Sequence, residues 1–218
     1  MFNKLVLAAA VLASASVAQA ATFTSAFGAP DPGPGAGFTL IDNFNNASSQ
    51  PAGVTITGGY AFRAFTANDA AAPAGDTTQY LYVSSALNPN NATINFANQR
   101  AVSFYWGSID TYNKVDVLGV GGTSILTVTG SQIQPANGDR ASGNTNQRVT
   151  FRAGTNETIT GLRLTSTGVA FEIDDLFGIA GSGSGSTVPE PSSWAMLIAG
   201  FGLVGFASRR RGSARITA

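Results

Sequence analysis

Val102-Ser103-Phe104-Tyr105-Trp106 alternates in character, and the alternation puts Val102, Phe104 and Trp106 on one side of an extended chain. A period of two marks a strand, because a helix would need its apolar residues three and four positions apart. The same period recurs on both sides of this run. Upstream, Val54-Thr55-Ile56-Thr57 leads into Tyr60 to Phe65, Tyr80 and Tyr82 share a face, and Ile94 pairs with Phe96. Downstream, Val115 goes with Val117, Ile125 with Thr127, Val149 with Phe151, Leu162 with Leu164, and Phe171 with Ile173. Each run is short and bounded by Gly, Asn, Asp, Pro or Ser, as strands are. About ten such strands between Ala21 and Ala180, with no crossover helix, predict an all-β fold: an antiparallel β-sandwich of jelly-roll type. Pro30 to Gly35 reads as an irregular arm, and Ala70 to Gly75 and Pro135 to Asn146 read as long surface loops.

Composition narrows the chemistry. The chain of 218 residues has no histidine and no cysteine. A disulfide framework, a thiolate nucleophile, a zinc-thiolate site and a Ser-His-Asp triad are therefore all excluded. Catalysis would have to use carboxylates, Lys, Tyr, Ser or Thr, and any metal would be held by hard oxygen ligands. Twelve Lys and Arg balance twelve Asp and Glu, but the balance is uneven along the chain. Five of the basic residues are Lys4, Arg209, Arg210, Arg211 and Arg215, so between Ala21 and Val188 seven basic residues face eleven acidic ones, a net charge of −4. An acidic body of this kind has no footprint for nucleic acid, which requires a basic face. With about 160 residues the body can bury roughly 70% of its unfolded surface, which supports one domain folding without disulfides.

The two ends read as topology signals. Residues 1–20 combine Lys4, the apolar run Leu5 to Ala13, and small residues at Ala18 and Ala20 before Ala21. This is the three-part pattern of a secretory signal peptide, cut between Ala20 and Ala21, and it implies the Sec machinery and signal peptidase as partners. Residues 181–188 form a Gly/Ser linker of the flexible type. Beyond it, Trp194 to Ser208 is an apolar stretch about 22 Å long as a helix, against a hydrocarbon core of about 30 Å. Trp194 suits one membrane interface, and Arg209, Arg210 and Arg211 suit the cytoplasmic one as a membrane stop. In Pro189-Glu190-Pro191 the two prolines restrict the backbone and hold the segment extended, the form a protease cleft accepts.

The order Pro189-Glu190-Pro191, then Trp194-Ala195, a short Gly-containing apolar helix and the Arg209 to Arg211 cluster resembles the sorting signal of PEP-CTERM proteins in its PEPxxWA form. The resemblance covers residues 189–211, with a tail at 212–218. It implies an exosortase of a Gram-negative, exopolysaccharide-producing bacterium as partner. In that family the tripeptide is the recognition element, the helix a transient membrane anchor, and the tail is cut near the PEP motif. The body would then reach the cell surface or the extracellular matrix.

Within the body, Tyr105, Trp106, Asp110, Tyr112 and Asn113 could line a glycan site, with rings stacking on sugars and polar groups meeting hydroxyls. The competing reading places Trp106 in the core, on the face of Val102 and Phe104, and makes residues 107–113 a polar connection. Glu172 with Asp174, and Asp110 with Asp116, are the acid pairs that a carboxylate glycosidase or lyase would need. Asp42, Asp174 and Asp175 are candidate calcium ligands if the first and last strands are neighbours. Asn46, Asn91 and Asn156 begin N-glycosylation-type triplets that read here as Asn-rich turns. The leading expectation is a non-enzymatic, exosortase-sorted surface or matrix protein, with a carbohydrate-binding module and a carbohydrate-active enzyme as alternatives.

Overall fold

The computed structural model describes residues 19–181 and 198–203. Its strands are β1 (Thr22–Phe27), β2 (Thr39–Asp42), β3 (Thr55–Gly58), β4 (Ala61–Arg63), β5 (Tyr80–Val83), β6 (Asn91–Gly107), β7 (Asn113–Leu118), β8 (Ser124–Thr129), β9 (Gln147–Arg152), β10 (Ile159–Ser166) and β11 (Phe171–Ala180). All pairings are antiparallel.

Strand β6 organises the body. It has 17 residues, and its two halves have different neighbours. The first half lies between β3 and β10, and β10 continues through β7 to β8. The second half lies between β9 and β11. From there β9 leads to β1, while β11 is flanked on its far side by β5 and β2, with β4 beyond β5. Side chains from both halves enter one contiguous core, as an antiparallel β-sandwich requires. Val102, Phe104 and Trp106 from β6 meet Val149 and Phe151 from β9, Phe171 and Ile173 from β11, and Val115, Val117, Leu162 and Leu164 from the other half. The Trp106 ring stacks on Phe171 at 4.3 Å between centroids, and Phe104 lies 5.7 Å from Phe151.

Three local expectations change. Ile94/Phe96 and Val102/Phe104/Trp106, read as separate strands, belong to one. The pairing register shifts around Gln99 against both β10 and β11, yet Ala92, Ile94 and Phe96 keep the same alternation as Val102, Phe104 and Trp106 and enter the same core, so one strand runs through both halves. Strands β1 and β2 were not anticipated, because β1 is an edge strand whose residues are mostly exposed and carry no apolar alternation. The loops at 70–75 and 135–146 are not simply surface loops. Ala70 and Ala71 are buried, and Asn146 is buried with its Oδ1 accepting from Ala74 N at 2.8 Å and Ser108 N at 2.9 Å. One side-chain amide thus satisfies backbone donors from two segments.

Residues 198–203 form a helical segment in which Ile198, Phe201 and Leu203 are exposed. Among the described residues no helix is long and apolar enough to cross a membrane. The expected span at 194–208, the signal peptide up to Ala18, and Pro189, Glu190, Pro191, Trp194, Ala195 and Arg209 to Arg211 lie outside the described residues; Ala20 and Ala21 precede β1.

Trp106 tests the core directly. Trp106→Ala should lower the unfolding free energy by about 3–5 kcal/mol in a urea titration, the usual cost of emptying a buried aromatic site. Trp106→Phe should cost clearly less, because it keeps a ring against Phe171 and removes an indole N–H that is buried without a partner.

Candidate functional site

Asp174 and Asp175 are adjacent on β11, and in a regular strand they would point to opposite faces. Here the pairing of β11 with β6 breaks register between Asp174 and Phe177, and Asp175 takes a φ of 49°. This bulge brings both residues to the wall of one cavity of about 310 Å³, which Asp31, Asp76, Tyr105 and Phe177 also line. Across the sheet Asp174 lies opposite Tyr105, and Tyr105 opposite Arg148, so one row of the outer face carries all three.

Arg148 is 2% exposed. Its Nε donates to Asp31 Oδ1 at 2.8 Å, its Nη2 contacts Asp31 Oδ2, and its Nη1 donates to the Asp175 carbonyl at 2.9 Å. This two-pronged ion pair anchors the Pro30 to Gly35 arm to β9 and to the bulge. The Tyr105 hydroxyl lies 2.6 Å from Gly28 O and 2.7 Å from Ala74 O, joining the arm to the 70–75 loop. Gly75 has a φ of 82°, and a Cβ there would lie 2.8 Å from Pro30 Cα, so glycine allows loop and arm to close together.

The acids are unequally satisfied. Asp76 Oδ1 accepts from Thr78 N at 2.8 Å and Thr78 Oγ1 at 2.7 Å, and the same hydroxyl lies 3.1 Å from Asp174 Oδ2. The other oxygens, Asp76 Oδ2 and Asp174 Oδ1, are buried without a hydrogen-bond partner. Burial, then the charge of Asp76, pushes Asp174 up to about 9. The Thr78 hydroxyl thus bridges two carboxyl groups on one wall of the cavity.

The sequence-derived sets fare differently. Asp42 lies on β2 opposite Leu176 of β11, whereas the first strand, β1, pairs with β9 and not with the last. Asp42 lines a different cavity, of about 260 Å³, with Asn43, Asn46, Ser49 and Gln50. Among the described residues no three acids are placed to hold a metal, so Asp42, Asp174 and Asp175 do not form the expected calcium set. The glycan set loses its platform, because Trp106 is wholly buried in the core and Tyr105 is 2% exposed. Tyr112 is tied within 2.6 Å of both Asp110 Oδ2 and Val169 O, and buried Asn113 donates to Ala170 O and accepts from Ser166 Oγ. Of the acid pairs, Glu172 is 1% exposed and uses both oxygens, accepting from Ala71 N at 2.8 Å and Ser108 Oγ at 3.0 Å. Asp116 clamps Arg163 and Thr127 across β7, β8 and β10. Both are built into the scaffold. Asp31, Asp76 and Arg148 went unrecognised in the sequence, where the only local signals were turn-forming Asp31-Pro32-Gly33 and Asp76-Thr77-Thr78.

A known protein family matches the C-terminal segment. Residues 187–211 match the PEP-CTERM protein-sorting motif. The chain therefore carries a PEP-CTERM signal, and that signal marks an exported, exosortase-targeted protein of the cell surface or extracellular space. The match spans the Pro189-Glu190-Pro191 tripeptide, Trp194-Ala195 and the Arg209 to Arg211 cluster. Comparison with curated proteins and with solved structures finds no match.

The raised acids fix the pH response. Glu172, pushed up to about 7 chiefly by burial, and Asp174, at about 9, hold protons more tightly in the folded than in the unfolded chain. Their contribution to stability is full below the ordinary carboxyl range and is lost as pH rises through about 7 and about 9. In chelator-treated buffer the thermal midpoint should fall from about pH 5 to about pH 9, and Asp174→Asn should flatten the upper part of the fall. A midpoint that rises through the alkaline half would contradict the assignment.

Proposed function

We propose that this chain is an exosortase-processed display protein whose β-sandwich stands among the cell's exopolysaccharides and acts by binding or spacing rather than by catalysis. The PEP-CTERM match at residues 187–211 carries the reading. The signal-peptide pattern at residues 1–20 supports it from the other end, because it directs the body across the inner membrane. The Gly/Ser composition of residues 181–188 supports it too, since such a sequence suits a spacer between a folded body and a cleavage site. During sorting the apolar segment after Trp194 holds the chain in the membrane, with Arg209 to Arg211 on the cytoplasmic side. Pro189-Glu190-Pro191 then lies on the far side of that membrane from the arginines, within reach of exosortase.

A non-enzymatic role is supported by two of the four acids the sequence had offered for catalysis. Glu172 and Asp116 have their oxygens engaged by Ala71, Ser108, Thr127 and Arg163, which is scaffold work and leaves no free general acid or base there.

A transplant tests the proposal. Residues 181–218 fused behind an unrelated exported reporter should place it at the surface of an exosortase-producing cell and leave it trapped in the membrane of an exosortase-deficient one. A Pro189→Ala/Glu190→Ala/Pro191→Ala tail should behave in the first host as the intact tail does in the second. Equal surface display in both hosts would remove exosortase from the account.

A further inference from the structure

The cavity against the β11 bulge contains an electrostatic conflict. Asp174 lines this cavity, is 3% exposed, and has a buried oxygen, Oδ1, without a hydrogen-bond partner. Asp76, joined to it through the Thr78 hydroxyl, contributes a second buried oxygen without a partner. A neutral hydrogen-bond donor would satisfy either atom singly, yet the protein group next to both, the Thr78 hydroxyl, is turned to their opposite oxygens. The charged and titratable groups around this pair are Asp31 on the arm, Asp175 on the bulge, Tyr105 on β6 and Arg148 on β9. Arg148 does not neutralise the pair, since its guanidinium is engaged with Asp31 and the Asp175 carbonyl. Two neighbouring acids, each with a buried oxygen that lacks a partner, on the wall of an open cavity make an environment that a hard cation would stabilise.

We propose that Asp76 and Asp174 bind a divalent cation of the calcium class, with Asp76 Oδ2 and Asp174 Oδ1 as the inner ligands, Asp175 on the same wall, and water completing the shell. Calcium suits the site better than magnesium. It accepts six to eight oxygens in irregular geometry, whereas magnesium demands a near-ideal octahedron. An exported protein also meets calcium where modules with dissociation constants of roughly 10⁻⁴ to 10⁻³ M are useful. The bound ion fastens the loop around Asp76 to the last strand, beside the point where Arg148 fastens the arm. The cation thereby strengthens the covering of the outer face in a chain that has no cysteine to do so. This ligand set differs from the one the sequence suggested by replacing Asp42 with Asp76.

Calorimetric titration of calcium chloride into the full-length chain, stripped with EDTA and held near pH 8, tests the site. The expected result is saturable binding of one ion and a rise in thermal midpoint that EDTA reverses, as for any ligand that binds only the folded state. Magnesium should bind more weakly. Asp174→Asn should lose both the binding and the midpoint rise while melting, metal-free, no lower than the parent, because it replaces a buried carboxyl by a neutral group of the same shape. If Asp174→Asn fails to fold, Asp76→Asn, on the less buried loop, decides the matter by the same readings. Asp42→Asn, whose carboxyl lines the other cavity, should keep calcium binding. The proposal is overturned if the parent binds no calcium at millimolar concentration, if the folded Asn variants at 76 and 174 still bind it, or if Asp42→Asn abolishes it. The first result would mean that the pair shares a proton instead.

Discussion

Both halves of the sandwich depend on β6, which pairs with β3 and β10 along its first half and with β9 and β11 along its second. A strand used in this way must keep one face dry along its length, and Val102, Phe104 and Trp106 do so with Phe151 and Phe171 packed on them. With no cysteine in the chain, this packing has to hold the exported body without covalent help. That requirement removes Trp106 from any surface role. A tryptophan placed to stack on Phe171 cannot also offer its face to a sugar.

The same period of two that buries Trp106 sends its neighbours outward. Tyr105, Arg148 and Asp174 form a row on the outer face of β6, β9 and β11, and the arm and the 70–78 segment cover that row. A charged row under a cover needs internal partners, because water no longer solvates it. Asp31 supplies one for Arg148, and Gly28 and Ala74 supply acceptors for Tyr105. Among the described residues, Asp76 and Asp174 form no ion pair with a basic side chain. Core and candidate site are thus two faces of one set of strands.

The sequence made the inward face readable, since apolar alternation at Val149/Phe151, Leu162/Leu164 and Phe171/Ile173 is the direct imprint of a buried sheet surface, and all six residues lie in the core. The outward face was not readable in the same way. Arg148 looks like any solvated arginine until the arm folds over it, and Asp76 like any turn residue until its loop reaches β11. The bulge at Asp175 depends on a register shift between two strands, which pattern along one strand does not encode. Strand β1 was missed for a related reason: as an edge on β9 it buries little, so selection for apolar alternation is weak there. The sorting segment needed no fold at all to be read, because its meaning lies in the linear order of tripeptide, Trp-Ala, apolar run and arginines.

The even balance of acidic and basic residues is therefore a sum over parts with separate fates. Lys4 belongs to the expected export signal and Arg209 to Arg211 to the sorting motif, whereas the body is acidic. The central claim is that exosortase separates the body from that basic tail. Intact mass spectrometry of the protein recovered from isogenic cells with and without exosortase measures this directly. The account predicts a chain beginning at Ala21 and lacking the residues after the Pro189-Glu190-Pro191 region in the first, and the same chain with its tail through Ala218 in the second. An intact tail in both strains would contradict it.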